Sequence, residues 1–148
     1  MSKAYDSVNF DLFKLALQRI QFPEPLINIL SNLLLDRTNK VITNFGLTNS
    51  YQVQNGIDQG ETITPLFWHI YYDPLISKIS REVEGYQIST TWSDNIRQTK
   101  LNKIQTNTSV LAYMDDTLWI AKSKSQLNEI IKIATSFFQM AGIQVNPN

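Results

Sequence analysis

Cysteine is absent from the 148 residues of this chain, which excludes disulfide bonds and thiolate metal ligands. Long apolar runs are absent too. None approaches the roughly 18 residues that a membrane-spanning helix needs, so we expect no membrane partner. The N-terminus also lacks the charged-then-apolar pattern of a signal peptide. These absences predict an intracellular protein without assigning a compartment.

Neither sign of charge is in excess, because 13 basic and 13 acidic side chains cancel. Domains that bind nucleic acid mainly through charge are usually basic, so this balance argues against a stand-alone binder of that kind. One module of a larger nucleic-acid enzyme remains compatible with it. The single histidine, His69, has no cysteine or second histidine with which to share a metal, and we assign it a structural role.

Two adjacent carboxylates, Asp115 and Asp116, stand between two short apolar segments rich in strand-favouring residues. Residues 110–113 and 117–121 are therefore predicted to pair as an antiparallel hairpin, with both carboxylates at or beside its turn. Neighbouring like charges repel each other, and Mg²⁺ removes that repulsion because it binds anionic oxygens. A solvated turn is the alternative interpretation, since Asp is common in turns.

The rest of the chain alternates between helical and strand-like patterns. Helices are predicted from the Asn9 cap to about Gln21, from Pro25 to about Leu35, from Thr64 and Pro65 towards Val83 with a kink at Pro74, and from the Ser123 capping box to Ala141. Strands are predicted for residues 40–45 paired with 51–54, for 85–90 and for 143–145, and a polar loop for 91–107. This order predicts an α+β fold of one domain, in which helices back an antiparallel sheet. The last helix is predicted to pack on that sheet through Leu127, Ile130, Ile131 and Phe138.

Three short motifs stand in order along the chain. Residues 2–8 read Ser-Lys-Ala-Tyr-Asp-Ser-Val, residues 59–67 contain Gln-Gly followed by Thr-Pro-Leu-Phe, and residues 113–116 read Tyr-Met-Asp-Asp. They resemble the tail of the first catalytic motif, the Gln-Gly-x-x-x-Ser-Pro motif and the Tyr/Phe-x-Asp-Asp palm signature of reverse transcriptases. The amino-acid sequences of residues 3–8 and 71–75 most resemble those of non-LTR (LINE-type) retrotransposon polymerases. The resemblance covers nearly the whole chain.

This resemblance implies the palm of an RNA-directed DNA polymerase, which adds deoxynucleotides to a primer 3′-hydroxyl. The expected partners are an RNA template, a DNA primer and deoxynucleoside triphosphates. Two Mg²⁺ ions, for which Mn²⁺ can substitute, are expected to stabilise the attacking and leaving oxygens. By resemblance, Asp115 and Asp116 are the catalytic residues and the metal ligands.

The resemblance also assigns substrate contacts. It implies that Tyr5 lies beneath the incoming sugar and clashes with a 2′-hydroxyl, and that Gln59 and Gly60 touch the incoming nucleotide and the template. From the residues alone, the alternative interpretation of Tyr5 is a buried aromatic beside a core helix, and that of the glycine-containing segment is a plain entry to a helix. The full set of implied substrate-binding residues is Ala4, Tyr5, Gln59, Gly60, Pro65, Tyr113 and Met114.

The chain departs from the family pattern at both ends. The family's first motif begins with an Asp that would stand immediately before Met1, and Asp6 is a poor substitute because, in an extended segment, it faces away from Tyr5. The Lys that follows the last palm motif is not reached by residues 142–148. We therefore expect residues 1–148 to be a partial reverse transcriptase domain, largely without fingers and thumb and inactive alone.

Two alternatives remain open. The first is a catalytically dead remnant that acts as a binding or structural module. The second is the palm of an RNA-dependent RNA polymerase. That family prefers Gly-Asp-Asp and a Ser-Gly motif, so Tyr5, Gln59 and the Tyr113–Met114 pair argue against it.

Overall fold

A computed structural model of the chain describes residues 4–93 and 101–144 as a mixture of helices and short antiparallel ladders. After a 3-10 turn at Tyr5–Ser7, the helices are α1 (Phe10–Arg19), α2 (Glu24–Leu34), α3 (Thr64–Glu82) and α4 (Lys124–Ala141). The strands are β1 (Thr38–Asn39), β2 (Ile42–Thr43), β3 (Gly46–Leu47), β4 (Tyr51–Gln52), β5 (Tyr86–Ser93), β6 (Leu101–Thr108), β7 (Val110–Tyr113) and β8 (Asp116–Trp119). They pair as β1–β4, β2–β3, β5–β6 and β7–β8.

The chain divides into two compact units. The first unit consists of Met1–Pro74 with Phe137–Asn148, and the second unit of Leu75–Ser136. Each unit has its own buried side chains and is described by itself. The prediction of a single partial domain over residues 1–148 stays a prediction.

Local signals in the sequence place the starts of the helices. The Asn9 side chain accepts a hydrogen bond from the Leu12 amide at 3.0 Å, which satisfies one of the unpaired donors at the start of α1. At α4, the Ser123 hydroxyl accepts from the Gln126 amide at 3.3 Å, and the Gln126 side chain reaches back to the Lys122 amide at 3.1 Å. The predicted caps at Asn9 and Ser123 are confirmed.

An aromatic cluster forms the core of the first unit. Trp68 is fully buried and stacks on Tyr72 with ring centroids 5.3 Å apart, while Tyr72 meets Phe137 edge-on at 5.9 Å. Tyr71, also buried, accepts a hydrogen bond from the Asn9 amide at 3.4 Å, and burial raises the pKa of its hydroxyl. This core connects the entry to α1 with α3 and with the end of α4.

The second unit contains two hairpins, and the one formed by β5 and β6 shows that the predicted loop is wrong. The polar composition of residues 91–107 predicts a loop, but β5 runs to Ser93 and β6 begins at Leu101, paired in register from Tyr86↔Thr108 to Ser93↔Leu101. Residues 86–92 are all exposed, so this ribbon has no buried face and needs no alternation of apolar and polar residues. Residues 94–100 lie outside the described part of the chain.

Other strand predictions are partly wrong. Residues 40–45 and 51–54 do not form one ladder: β1 pairs with β4, and β2 pairs with β3 across a tighter turn before Gly46, whose φ is +110°. The two-residue turn of Asn44 and Phe45 joins β2 directly to β3, and Gly46 adopts its positive φ just after that turn without strain. Residues 143 and 144 are not in a strand, and 145 lies outside the described residues. The kink at Pro74, which lies inside α3, stays a prediction.

The coarse α+β prediction holds as a mixture of helices and small antiparallel sheets, whereas the polymerase palm stays a prediction. The four ladders of the described residues are separate two-stranded sheets. On α4, Ile130 and Ala134 are buried, but Leu127 and Ile131 are 37% and 49% exposed. Within residues 4–93 and 101–144, none of the helices combines the length and the apolar character needed to cross a membrane.

Candidate functional site

The paired carboxylates lie at the tip of the hairpin formed by β7 and β8. Tyr113 pairs with Asp116, so that Met114 and Asp115 form the two-residue turn between the strands. Asp115 is half-buried and Asp116, the first residue of β8, is exposed. Both carboxylates are therefore presented at one end of the hairpin, as the sequence predicts.

Met114 holds an uncommon backbone conformation in this turn. Its φ is +54°, and Asp115 is not among the residues with positive φ. Glycine is the usual residue where the first position of a two-residue turn has positive φ. A side chain in this region costs roughly 1–2 kcal/mol, which the flanking strand pairs must offset.

The face of the hairpin beside the carboxylates is open. Leu111, Tyr113 and Leu118 are 55%, 76% and 58% exposed. Because directly paired residues point to the same face of a ladder, the Tyr113 ring and the Asp116 carboxylate share this face with Leu111 and Leu118. The face offers an aromatic ring and a carboxylate side by side to a molecule that approaches from solvent.

The donor set at the turn suits a hard divalent cation. Two carboxylates on consecutive residues bring four anionic oxygens together, the ligand type that Mg²⁺ prefers. Neither unit contains, among its described residues, a group of three or more His, Asp or Glu side chains that could hold a metal ion. Asp115 and Asp116 can thus supply part of a metal site, and the remaining ligands must come from elsewhere.

The first unit brings the Tyr5 segment against the loop of residues 56–60. The Ile57 amide donates to the Tyr5 carbonyl at 2.9 Å, and the Gly56 amide donates to the Val8 carbonyl at 2.9 Å. Ala4 is buried, and the half-buried Tyr5 ring meets Trp68 edge-on at 5.7 Å. The segment that resembles the first catalytic motif is therefore fastened to the loop that carries Gln-Gly.

Gly56 is required at this contact. Its φ is +93°, and a Cβ atom built on it would lie 2.9 Å from the Asp6 Cα. No side chain fits such an approach without moving backbone. Gly60 has nearly the same φ, +94°, but a Cβ atom added there would meet nothing within 4 Å. A close contact with the Asp6 backbone therefore requires glycine at position 56, whereas no such contact exists at position 60.

Asp6 does not follow the geometry expected from the sequence. The Tyr5–Ser7 segment is a 3-10 turn, so the argument from alternating sides of an extended segment does not apply. Asp6 is exposed and lines a pocket of about 300 Å³ together with Asn39 and Asp58. The premise that placed Asp6 opposite Tyr5 is wrong for this segment.

Arg37, which the sequence did not single out, ties the loop to its surroundings. Its guanidinium donates to Asp58 Oδ2 at 2.5 Å, to the Gly56 carbonyl at 2.6 Å and to the Leu34 carbonyl at 3.1 Å. It also lies 6.0 Å from the centroid of the Phe10 ring. Asp58 is the only charged residue between positions 54 and 60, and that isolation is the signal that could have prompted a search for its partner.

Beyond this anchored base, the loop reaches an exposed tip. The buried Thr64 hydroxyl donates to the Asp58 carbonyl at 2.5 Å, which fixes the loop where α3 begins. Gln59 and Gly60 are exposed between these anchors, and Pro65 is half-buried in the first turn of α3. The predicted start of the helix at Thr64 is confirmed, and Gln59 and Gly60 are available to a ligand.

The predicted site residues fall into two groups. The group in the first unit consists of Ala4, Tyr5, Gln59, Gly60 and Pro65. The second unit holds the consecutive residues 113–116, which include both carboxylates. Each unit brings the members of its own group together.

Comparison with known proteins identifies a family and two relatives. The family model described as "Reverse transcriptase (RNA-dependent DNA polymerase)" matches residues 1–148. Two proteins of Popillia japonica, each described as "Retrovirus-related Pol polyprotein from type-1 retrotransposable element R2", are also similar. One is 21% identical over 98% of this chain and 22% of its own length, and the other 24% identical over 97% and 18%. The chain thus spans about a fifth of these relatives, and no solved structure matches it.

The two loop glycines provide a matched test of the close approach. We expect Gly56→Ala to lower the free energy of unfolding by about 3 kcal/mol or more, because it adds backbone overlap to the conformational cost. Gly60→Ala meets only the conformational cost, about 1–2 kcal/mol. Urea denaturation followed by tryptophan fluorescence measures both, and equal losses would contradict the packing described at Gly56.

The turn makes a separate prediction at Met114. We expect Met114→Gly to leave stability unchanged or raise it by up to about 1 kcal/mol, because glycine adopts positive φ without strain. Met114→Val should lower it by about 1–2 kcal/mol, since β-branched side chains tolerate this region poorly. Leu111→Gly, a glycine placed inside β7, is the control and should destabilise. A similar loss for glycine at positions 114 and 111 would show that the turn is not strained.

Proposed function

The chain belongs to the reverse transcriptase (RNA-dependent DNA polymerase) family, and from this premise we propose that it forms the catalytic palm of a non-LTR retrotransposon polymerase. Such a protein copies an RNA template into DNA by adding deoxynucleotides to the 3′-hydroxyl of a primer. The observation that carries the proposal is the two-residue turn that presents Asp115 and Asp116 together within a chain matched over its whole length.

The carboxylates have the chemistry that this transfer requires. Phosphoryl transfer depends on positioning and on neutralising phosphate charge more than on covalent assistance. Divalent cations, Mg²⁺ or Mn²⁺, supply that neutralisation when bound, and Asp115 and Asp116 would hold them. The turn keeps Asp115 and Asp116 at the end of the ladder, because Asp116 is paired with Tyr113. Met114 and Tyr113 would then contact the primer end.

The first unit would supply contacts to the incoming nucleotide. In this proposal the Tyr5 ring lies beneath the sugar and excludes a 2′-hydroxyl, which favours deoxynucleotides. The ring is suited to the task because it leans edge-on against buried Trp68, which restricts its movement. Ala4 and Pro65 would line the same site, and the exposed Gln59 and Gly60 would touch the nucleotide and its template base.

Template, primer and nucleotide are proposed as partners of the intact protein. The relatives are described as Pol polyproteins of a retrotransposable element, and this description supports a retrotransposon origin. The chain has no net charge with which to bind a primer–template duplex alone. We therefore propose that other parts of the intact protein hold the duplex. The description of the family favours a DNA polymerase over the RNA polymerase alternative.

Primer extension tests the function. In the intact natural protein that contains this sequence, Asp115→Asn should lower kcat for dTTP addition to oligo(dT) on poly(rA) by at least about 100-fold. Asp11→Asn, the same chemical change at an exposed position in α1, should leave the rate within about twofold. We expect residues 1–148 alone to extend no primer with Mg²⁺ or Mn²⁺. Unchanged extension by the Asp115 variant would refute the proposed site.

Sugar selectivity tests the role of Tyr5. We expect Tyr5→Ala to reduce discrimination against ribonucleotides by about 10- to 100-fold, because it removes the ring that clashes with the 2′-hydroxyl. Tyr5→Phe keeps the ring and should keep the discrimination. The ratio of kcat/KM for dTTP and UTP measures both. Identical ratios for the alanine and phenylalanine variants would remove Tyr5 from the nucleotide site.

A further inference from the structure

We infer that Arg37 is a positioning residue for nucleotide binding, which acts by holding the exposed Gln59–Gly60 tip through Asp58 and the Gly56 carbonyl. The inference rests on the proposed function, because it takes the tip as a nucleotide contact. It adds a residue outside the three motifs, located between α2 and β1. It also predicts a change in affinity for the nucleotide rather than in the chemical step.

The geometry of Arg37 supports a positioning role. Its side chain is only 16% exposed, and all three kinds of guanidinium nitrogen donate: Nη1 to Asp58, Nη2 to the Gly56 carbonyl and Nε to the Leu34 carbonyl. Charge-assisted bonds of this kind are about twice as strong as neutral ones, and the planar fork fixes direction as well as distance. The guanidinium therefore joins the end of α2 to two points in the loop.

Asp58 transmits this restraint to the tip. Its Oδ2 binds Arg37, its Oδ1 accepts from the Asn39 side chain at 3.3 Å, and its backbone carbonyl accepts from the Thr64 hydroxyl at 2.5 Å. The side chain and the backbone carbonyl of Asp58 are thus both held by hydrogen bonds. Gln59 follows it directly in the chain, so a shift of Asp58 moves the predicted nucleotide contact by a comparable distance.

The base of the loop has a second, independent attachment. The Gly56 and Ile57 amides donate hydrogen bonds to the Val8 and Tyr5 carbonyls, and Arg37 takes no part in these bonds. Weakening the Arg37 contacts should therefore loosen the tip while the base of the loop stays folded. This separation makes a change in nucleotide affinity distinguishable from a general loss of structure.

The experiment compares three variants of the intact natural protein. Arg37→Lys keeps the positive charge but replaces the fork with a single ammonium group, which cannot reproduce three directed bonds. Asp58→Asn keeps the shape of the side chain but removes its charge. Arg19→Lys is the matched control, because Arg19 forms an ion pair in the same unit with Asp73, which belongs to α3 and not to the loop. Steady-state dTTP addition to oligo(dT) on poly(rA) gives kcat and KM for each protein.

We expect Arg37→Lys and Asp58→Asn each to raise KM for dTTP by about 5- to 10-fold, with kcat within about twofold, as for loss of uniform binding. The double variant should resemble Arg37→Lys, because the bond between Arg37 and Asp58 that Asp58→Asn weakens is already lost in that variant. Hydrogen exchange at the Gly56 and Ile57 amides should stay unchanged, because their bonds to the Val8 and Tyr5 carbonyls do not involve Arg37. Arg19→Lys should change neither KM nor exchange in the loop.

Three results would overturn the inference. Faster exchange in the loop with an unchanged KM would make Arg37 a structural residue only, and the proposed function would stand. Equal effects of Arg37→Lys and Arg19→Lys would indicate general destabilisation. Absence of any extension by the unsubstituted intact protein would refute the proposed function itself, and the inference with it.

Discussion

The missing side chain at Gly56 is the constraint on which the arrangement of the first unit depends. It lets the loop backbone come within bonding distance of the Tyr5–Val8 carbonyls, where a Cβ atom would meet the Asp6 backbone. That contact sets the base from which Gln59 and Gly60 project. It also fixes Tyr5 close to Trp68, so the same close approach positions both the ring and the loop of the proposed nucleotide site.

Features that depend on a few neighbouring residues could be predicted from the sequence. The Asn9 and Ser123 caps each join a side chain to a backbone amide three residues later, so neighbouring positions are enough to predict them. The helix start at Thr64 could be predicted because Pro65 suits the first turn of a helix. The strands around Asp115 and Asp116 could also be predicted, because both flanks are short and apolar and the turn needs only two residues.

Features that depend on residues distant in the sequence could not be predicted in this way. The polar composition of residues 91–107 predicts a loop, yet an exposed two-stranded ribbon is polar as well. Arg37 looks like an ordinary surface charge until the fold brings it to Asp58, 21 residues away. The extended geometry expected for Asp6 is wrong for a local reason instead, because the amide and the hydroxyl of Ser7 both donate to the Ala4 carbonyl and close the segment into a 3-10 turn.

We propose that the turn bearing Asp115 and Asp116 holds the catalytic metal of a polymerase in the reverse transcriptase family. Crystals of the intact protein with primer–template, a non-hydrolysable deoxynucleotide and Mn²⁺ test it most directly, because Mn²⁺ gives an anomalous signal that locates it independently of the protein atoms. We expect an anomalous peak at coordination distance from a carboxylate oxygen of Asp115. A peak in the pocket of Asp6 and Asp58, with none at the turn, would contradict the account.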